Sequence, residues 1–353
     1  MKYSILIPAY KPDEKLIQTV DALSVQLTEL LGGNYEMIVV NDGSPEEYRE
    51  VFDSLDGKAT VLTHPENRGK GAALKTGMEY VSRYCSPSVV VTADADGQHL
   101  PLDILNCIIS AESDPEALIL GTRKFRIGSG IPIKSFLGNK ITEGVFLLST
   151  GKHVHDTQTG LRAFHSSLIP ELMEAEGDRY EYEMNQLLKV IKDGVPVREV
   201  PIATVYKGKN EKSHFDPFRD SFLIYKKLLK FALSSVSSFF VDYVMFAFFS
   251  LLFTGTAGVA LSNVFARVIS AGFNYEINRD LVFRDTGSRS FSLPRYAALA
   301  AVVLALNTGI LYALNLGLGI PLLMAKILTE AVIFLFSWSM QNIFVFGKGG
   351  AFR

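Results

Sequence analysis

The 353-residue chain has little cysteine and almost no tryptophan: two of the first, Cys85 and Cys107, and one of the second, Trp338. Two isolated cysteines build neither a disulfide framework nor a thiolate metal cluster, and they fit a reduced, cytosolic setting for the part that holds them. Bulk charge is lacking as well. Lys+Arg 35 against Asp+Glu 37 leave a net charge of -2, which excludes nucleic acid as a partner recruited by charge alone. No GxGxxG follows the first strand-like run and no GxxxxGK[ST] occurs, which excludes the usual dinucleotide and P-loop sites. The opening Met1–Pro8 reads as a strand and is too short for a signal peptide. Apolar residues, in contrast, are plentiful, and mean hydropathy is +0.20, high for a soluble protein. The excess is uneven: residues 1–230 alternate apolar and charged runs, whereas 231–347 are mostly apolar, and this shift marks a domain boundary.

The first part alternates strand and helix signals. Ser4–Pro8, Glu36–Val40, Thr60–Leu62, Val89–Thr92 and Ala117–Gly121 read as strands, and Asp13–Leu31 has helical spacing stopped by Gly32-Gly33. A further helix opens at Arg68–Leu74. This order predicts an α/β domain with a parallel, doubly wound sheet. The apolar run Val89-Val90-Val91 ends in Asp94-Ala95-Asp96-Gly97-Gln98-His99. Taken alone, Asp-x-Asp is most often a turn or a cap. Placed where a buried strand meets its loop, the oxygens of Asp94, Asp96 and Gln98 suit a hard divalent cation that also holds a diphosphate. His99, His153 and His155 have no ligand spacing around them and read as structural hydrogen-bonding residues.

Six motifs follow one another in a single order: Pro8-Ala9-Tyr10, Asn41-Asp42-Gly43-Ser44, Asn67–Gly71, Asp94–His99, Gly121-Thr122-Arg123 and Asp156–Phe164. Together they resemble a family 2 glycosyltransferase of the GT-A (Rossmann-like) fold, in the polyprenyl-phosphate branch that includes dolichol-phosphate mannose synthase. The resemblance covers roughly residues 1–216. It implies that Pro8, Tyr10 and Asp42 line the base and ribose pocket and that Gly71 lets backbone approach the nucleotide. It implies Mg2+ or Mn2+ on Asp94, Asp96 and Gln98, with Arg123 reaching the phosphates. Lys70 reads either as a nucleotide-sugar contact or as a solvated charge at a helix start. Lys11-Pro12 and Asn41 depart from the family pattern at the nucleotide end.

The same resemblance implies transfer of a hexose, with inversion, from a nucleotide-diphosphate sugar to a polyprenyl phosphate, dolichyl or undecaprenyl. UDP-glucose, UDP-GlcNAc and GDP-mannose all remain open as donors. Basic residues are then needed for the lipid phosphate. Lys134 is the first choice, with Lys140 and Arg123 beside it, in a Gly/Pro-broken loop that leads to an amphipathic helix over Phe136–Leu148. Arg162 reads alternatively as a structural partner of Glu181 or Glu183. The basic loop Tyr206–Phe215 resembles the family's loop over the donor phosphates, with Lys207 or Lys209 as the contact; Lys209 is taken as the donor ligand.

Phe218–Lys230 interleaves aromatic residues with Arg219, Lys226, Lys227 and Lys230, the pattern of an interfacial amphipathic helix on lipid headgroups over 217–230. Four spans are expected near 231–253, 258–278, 296–316 and 322–346. Arg279, Arg284, Arg289 and Arg295 between spans two and three place that loop, both termini and the first domain in the cytosol. Residues 231–347 resemble the GtrA-like family through Phe273–Arg279 with Val282-Phe283 and through Gln341–Phe346, which also suggest a weak internal repeat. Asp242, Arg267, Lys326 and Glu330 fall within spans and read either as structural pairs between or along helices, the favoured reading, or as contacts to a lipid-linked phosphate on a flipping path.

The expected product is an integral, multi-pass membrane enzyme, with homo-oligomerisation left open. Two other readings are weighed against it. A processive polysaccharide synthase needs Gln-x-x-Arg-Trp, and the single tryptophan, Trp338, lies inside a span. A lipid-linked sugar flippase with an inert cytosolic domain is disfavoured by the intact Asp94, Asp96 and Gln98 set.

Overall fold

The computed structural model describes residues 2–123, 140, 142–144, 146–148, 150–203, 217–253 and 255–346, with backbone alone for 217–228. Lys134, Lys207, Lys209 and the start of the expected 136–148 helix lie outside them. The chain divides into two compact units, Met1–Leu147 with Lys152–Asp220, and Leu148–Gly151 with Ser221–Arg353.

The first unit is built on a seven-stranded sheet of order β3-β2-β1-β4-β6-β5-β7. Its strands are β1 (Lys2–Ala9), β2 (Tyr35–Asn41), β3 (Thr60–Thr63), β4 (Ser88–Thr92), β5 (Leu118–Arg123), β6 (Arg162–His165) and β7 (Val197–Ile202). The central strands are apolar on both faces because helices cover both: all five residues of β4 are buried. Helix Glu14–Leu31 begins on Asp13, whose carboxylate accepts from Lys15 N, and stops at Gly32 with φ 61°, the left-handed turn that glycine enters without strain. Cys85 and Cys107 are both buried and free.

The sheet is mixed rather than wholly parallel. β6 runs antiparallel to both β4 and β5, and it pairs Thr92 with Arg162 and Leu120 with Arg162. Strand propensity alone left β6 and β7 unseen, since Arg-Ala-Phe-His is four residues long and carries no alternation. The reversal matters for the site: the residues before β6 arrive beside the residues after β4. In the parallel core, Ala9 pairs with Asn41 and Leu6 with Thr92, so Tyr10, Asp42 and Asp94 leave their strands at the same sheet edge.

The second unit is helical: Pro217–Leu252, Gly255–Ile277, Arg289–Tyr312 and Leu322–Met340. The stretch 217–230, expected as a separate interfacial helix, is continuous with the first span, because no proline or glycine interrupts 218–252. Among the described residues three helical segments are long and apolar enough to cross a membrane: Leu229–Leu252, Arg289–Asn307 and Ile327–Val345. The remaining expected span, 258–278, forms a helix of 23 residues whose apolar run is diluted by Ser262, Arg267, Ser270, Asn274 and Glu276.

The two motif segments of the suggested repeat adopt one conformation. Each ends its helix in a π-helical turn, Asn278–Val282 and Gln341–Val345, closed by Phe283 N donating to Asn278 O at 2.8 Å and Phe346 N to Gln341 O at 2.9 Å. The two turns meet: Asn278 Nδ2 donates to Gln341 Oε1 at 2.9 Å and the Phe283 and Phe346 rings stack at 5.0 Å. Asn274 extends this polar seam by donating to Ser238 Oγ and accepting from Tyr296 OH. Asp242 lies 3.6 Å from Arg267 Nε and accepts from Ser270 Oγ, an interhelical pairing rather than an isolated charge. Glu330 accepts from Asn307 Nδ2 at 3.1 Å; the Lys326 side chain is outside the described residues.

Candidate active site

Asp42 follows β2 and is buried, and its carboxylate is filled. Oδ1 accepts from Arg68 N at 3.0 Å and lies 2.7 Å from His64 Nδ1; Oδ2 accepts from Gly69 N at 2.8 Å and Asn67 Nδ2 at 3.0 Å. Four partners use up the lone pairs of a carboxylate. Asp42 was expected to touch the nucleotide; its bonds instead hold the 67–69 loop that starts helix Lys70–Tyr84. His64 is fixed on its far side by Thr76 Oγ1 at 2.9 Å. Gly69, at φ 110°, has no room for a side chain: a Cβ there would meet Asp178 O at 2.4 Å.

At the end of β1, Lys11 takes φ 50°, a left-handed conformation that costs a non-glycine residue about 1 kcal/mol. Its N–H is satisfied by Ser44 Oγ at 2.9 Å, and Ser44 N in turn donates to Asn41 Oδ1 at 2.9 Å. The two departures from the family pattern, Lys11-Pro12 and Asn41, thus belong to one interlocked turn. Tyr10 lies beside it, with Lys11 Nζ 5.3 Å from the ring centroid.

Asp94 emerges from β4 into a dense electrostatic setting. Lys70 Nζ is 2.7 Å from Asp94 Oδ1 and 2.9 Å from Glu183 Oε1, an ion pair with each carboxylate. Asp94 N donates to His99 Nδ1 at 3.1 Å, which leaves Nε2 to carry the ring proton on the side of Asp94 Oδ2, 3.8 Å away. Burial alone would raise the Asp94 pKa, but the Lys70 ammonium, His99 and Arg123 outweigh it and hold the carboxyl well below the usual range. Burial alone would lower Lys70; Asp94 and Glu183 overcome it and raise the ammonium above its ordinary value. Lys70 is therefore no solvated helix-start charge.

Asp96 shapes the next turn: its Oδ1 accepts from Gln98 N at 3.0 Å around Gly97, at φ 72°. Gly160, in the segment before β6, stands against Asp94, where a Cβ would lie 2.6 Å from Oδ2. Thr92 Oγ1 donates to Gly160 O at 2.8 Å and fixes that approach. Neither Gly160 nor Glu183 was singled out as a site residue from sequence; only the antiparallel β6 and the packing of helix Glu181–Lys192 bring them here.

Arg123, at the end of β5, was expected to reach phosphate. Its guanidinium clasps the buried Asp156 instead, Nε to Oδ2 at 2.7 Å and Nη2 to Oδ1 at 3.1 Å, and its own N–H donates to Oδ2. Arg162 is buried against Thr159 O, Glu183 O and Gln186 Oε1, so it meets a backbone carbonyl of Glu183 rather than the expected carboxylates of Glu181 or Glu183. Burial lowers its pKa. Lys140 pairs with Glu143, which His153 also contacts at 2.6 Å; His155 pairs with Glu199 at 2.7 Å. Gly71 has its Cα against Tyr182, where a Cβ would lie 2.5 Å from the tyrosine Cβ, so this glycine serves helix packing.

Among the described residues, no three His, Cys, Asp or Glu side chains form a ready cage for a metal ion. Mg2+ and its like need less: one or two carboxylates, with substrate phosphates and water completing the shell. Asp94, Asp96 and the Gln98 amide are that kind of donor set, and Asp94 already holds a cation, the Lys70 ammonium. The residues fit the ion.

Residues 4–172 match the family Glycosyl transferase family 2, and residues 230–346 match GtrA/DPMS, transmembrane domain. The UDP-N-acetylglucosamine–dolichyl-phosphate N-acetylglucosaminyltransferase of Methanococcus voltae is 30% identical over 224 residues, covering 57% of this chain and 85% of that one. The dolichyl-phosphate hexose transferase of Haloferax volcanii is 24% identical, covering 61% and 89%. A mannosyltransferase from Pyrobaculum calidifontis, solved with GDP-Man and Mn2+, is 16% identical with a TM-score of 0.41 over 97% of this chain and 87% of that one. The chain belongs to glycosyltransferase family 2. It is a membrane glycosyltransferase that joins a GT-A catalytic domain to a GtrA/DPMS transmembrane domain.

Proposed function

We propose that this enzyme moves a hexose from a nucleotide-diphosphate sugar to a polyprenyl phosphate at the cytosolic face of the membrane. The observation that carries the reading is the convergence of Asp94, Lys70, Glu183 and Gly160 at the strand ends of a chain that also carries the transmembrane domain. The two dolichyl-phosphate transferases among the relatives support the acceptor class.

An oxygen of the acceptor phosphate attacks the anomeric carbon, a new C–O bond forms, and the bond to the nucleotide diphosphate breaks with its electron pair. That nucleophile is ionised near neutral pH, so no side chain need abstract a proton. The protein supplies position and charge. Asp94, Asp96 and Gln98 would hold Mg2+ or Mn2+, which when bound offsets the charge on the leaving diphosphate. Asp42 fixes the 67–69 loop so that Lys70 reaches Asp94. Lys134 and Lys140 remain the candidates for the lipid phosphate; Lys140 must then leave Glu143. Lys209 remains the candidate for the donor phosphates, and Pro8 and Tyr10 remain the candidates for the nucleotide, whereas Gly71 packs on Tyr182. Arg123 would reach a phosphate only while sharing or leaving its clasp on Asp156.

The Arg279–Arg295 segment supports cytosolic termini, although Arg279 contacts Asp285 and Arg289 contacts Glu276. UDP-glucose, UDP-GlcNAc and GDP-mannose are screened against membranes containing the enzyme, and the extracted lipids are read by mass spectrometry. A lipid-linked hexose from one donor is expected; lipids unchanged with every donor would refute the reading.

A further inference from the structure

Lys70 occupies an odd place for a donor ligand. Its ammonium sits between two carboxylates, Asp94 at 2.7 Å and Glu183 at 2.9 Å, and spends its charge on protein rather than on open space. One of those carboxylates is the residue on which the proposed cation depends. Lys70 holds Asp94 Oδ1, while Oδ2 is hemmed in by Gly160 and faces His99. A divalent cation that draws on Oδ1 must therefore displace the ammonium, because two cations on one carboxylate oxygen repel strongly.

The surroundings provide a second seat. Glu183 is largely buried, and its Oε1 faces the ammonium. Its backbone is fixed, because Glu183 O accepts from Arg162 Nη1 at 2.8 Å. The base of the lysine is fixed too: Gly71 packs on Tyr182 and Ala72 N donates to Asp178 O at 2.9 Å. What stays free between two rigid helices is the four-carbon stem of Lys70, which can swing its ammonium by an ångström or two.

We propose that Lys70 is a displaceable counter-cation, resting on Asp94 in the empty enzyme and withdrawing to Glu183 when donor and divalent cation bind. The inference rests on the reading that Asp94 holds that cation. Glu183 is then a positioning residue: it acts through Lys70 and touches neither donor nor acceptor. The ammonium keeps Asp94 charged and in place before binding, and its return favours release of the spent nucleotide with its ion.

The test is Mn2+ binding by the full chain in detergent with UDP present at a fixed concentration, read from the free-ion signal in electron paramagnetic resonance. Lys70→Met removes the competitor and should tighten Mn2+ binding by about tenfold, whereas Glu183→Gln removes the second seat and should weaken it by a similar factor. In the Lys70→Met background, Glu183→Gln should change affinity by less than about twofold, because its effect runs through the lysine. Lys70→Arg keeps the charge and should bind no tighter than the parent. Weaker or unchanged binding in Lys70→Met, or a full effect of Glu183→Gln without the lysine, would overturn the inference while leaving the glycosyltransferase reading intact. If Lys70→Met does not fold, the near-isosteric Glu183→Gln decides: unchanged or tighter binding refutes the second seat. A parent protein that binds no Mn2+ sinks both the inference and the metal assignment.

Discussion

Gly160 and Asp94 are in contact as closely as a residue without a side chain permits: a Cβ at position 160 would lie 2.6 Å from one carboxylate oxygen and 2.7 Å from the other. Asp94 has nowhere to retreat, since Lys70 and His99 hold it on other sides. Gly160→Ala must therefore turn the carboxylate. A displacement on the order of 1 Å at a reacting centre costs about 100-fold in rate. Initial rates of sugar transfer should fall by that order, and the unfolding temperature should fall as well, because the turned carboxylate loosens its pair with Lys70. Wild-type rates would show that Asp94 need not stay where it is.

The clasp of Arg123 on Asp156 predicts a stability effect. Asp156→Asn leaves the guanidinium without its counter-charge and puts an amide donor opposite other donors. Arg123 is partly exposed, so water recovers some of the loss, and about 2 kcal/mol is expected. That corresponds to a drop of about 4–8 °C in the unfolding transition of the catalytic unit, by calorimetry. No drop would mean the pair contributes nothing.

Asp42 makes a similar prediction with a different signature. An asparagine there keeps the shape but turns an acceptor into a donor facing Gly69 N or Arg68 N. One buried polar group left unmatched costs about 1–3 kcal/mol. Asp42→Asn should lower the unfolding temperature even without nucleotide, and raise the donor KM because the 67–69 loop loosens. A raised KM with unchanged stability would return Asp42 to the role of a direct nucleotide contact.

The Lys70–Asp94 pair sets a pH expectation. Asp94 is held below its ordinary value, so its contribution to stability is complete above the ordinary carboxylate range and is lost only as pH falls through the lower folded value. Lys70 is raised, so its contribution is complete below its ordinary value and is lost as pH rises through the higher folded one. Between about pH 5 and 9 both are fully charged in the folded chain. In Lys70→Met the buried Asp94 loses its main counter-charge and its pKa moves up, so the difference in unfolding temperature between parent and variant should hold steady above neutral pH and shrink toward pH 5 as Asp94 takes up a proton in the variant. A difference that grows toward pH 5 would contradict it.

Much of the catalytic unit was legible because its signals are local. The all-apolar β4 followed by Asp94 and Asp96 needs no partner to be read, and Gly32 stops its helix by its own conformation. What escaped notice was non-local. β6 owes its direction to the route of the chain from β5, and without β6 nothing in the sequence places Gly160 on Asp94. Asp42 looked like a ligand because a buried carboxylate at a strand end can be either ligand or brace, and only its four partners decide. Glu183 is one of several acidic residues on helix Glu181–Lys192, and three-dimensional packing singles it out. In the membrane unit, hydropathy found the helices but not the unbroken run from 217 into the first span, where basic residues suggested a boundary that the backbone ignores.

The most direct test is transfer by the purified full chain in lipid nanodiscs containing undecaprenyl phosphate, with a radiolabelled nucleotide sugar and with Asp94→Asn in parallel. Label that partitions into the organic phase with the parent and stays aqueous with Asp94→Asn is the predicted result. Equal organic label from both proteins, or label trapped in insoluble polymer, would contradict a reaction centred on that carboxylate and ending on a lipid phosphate.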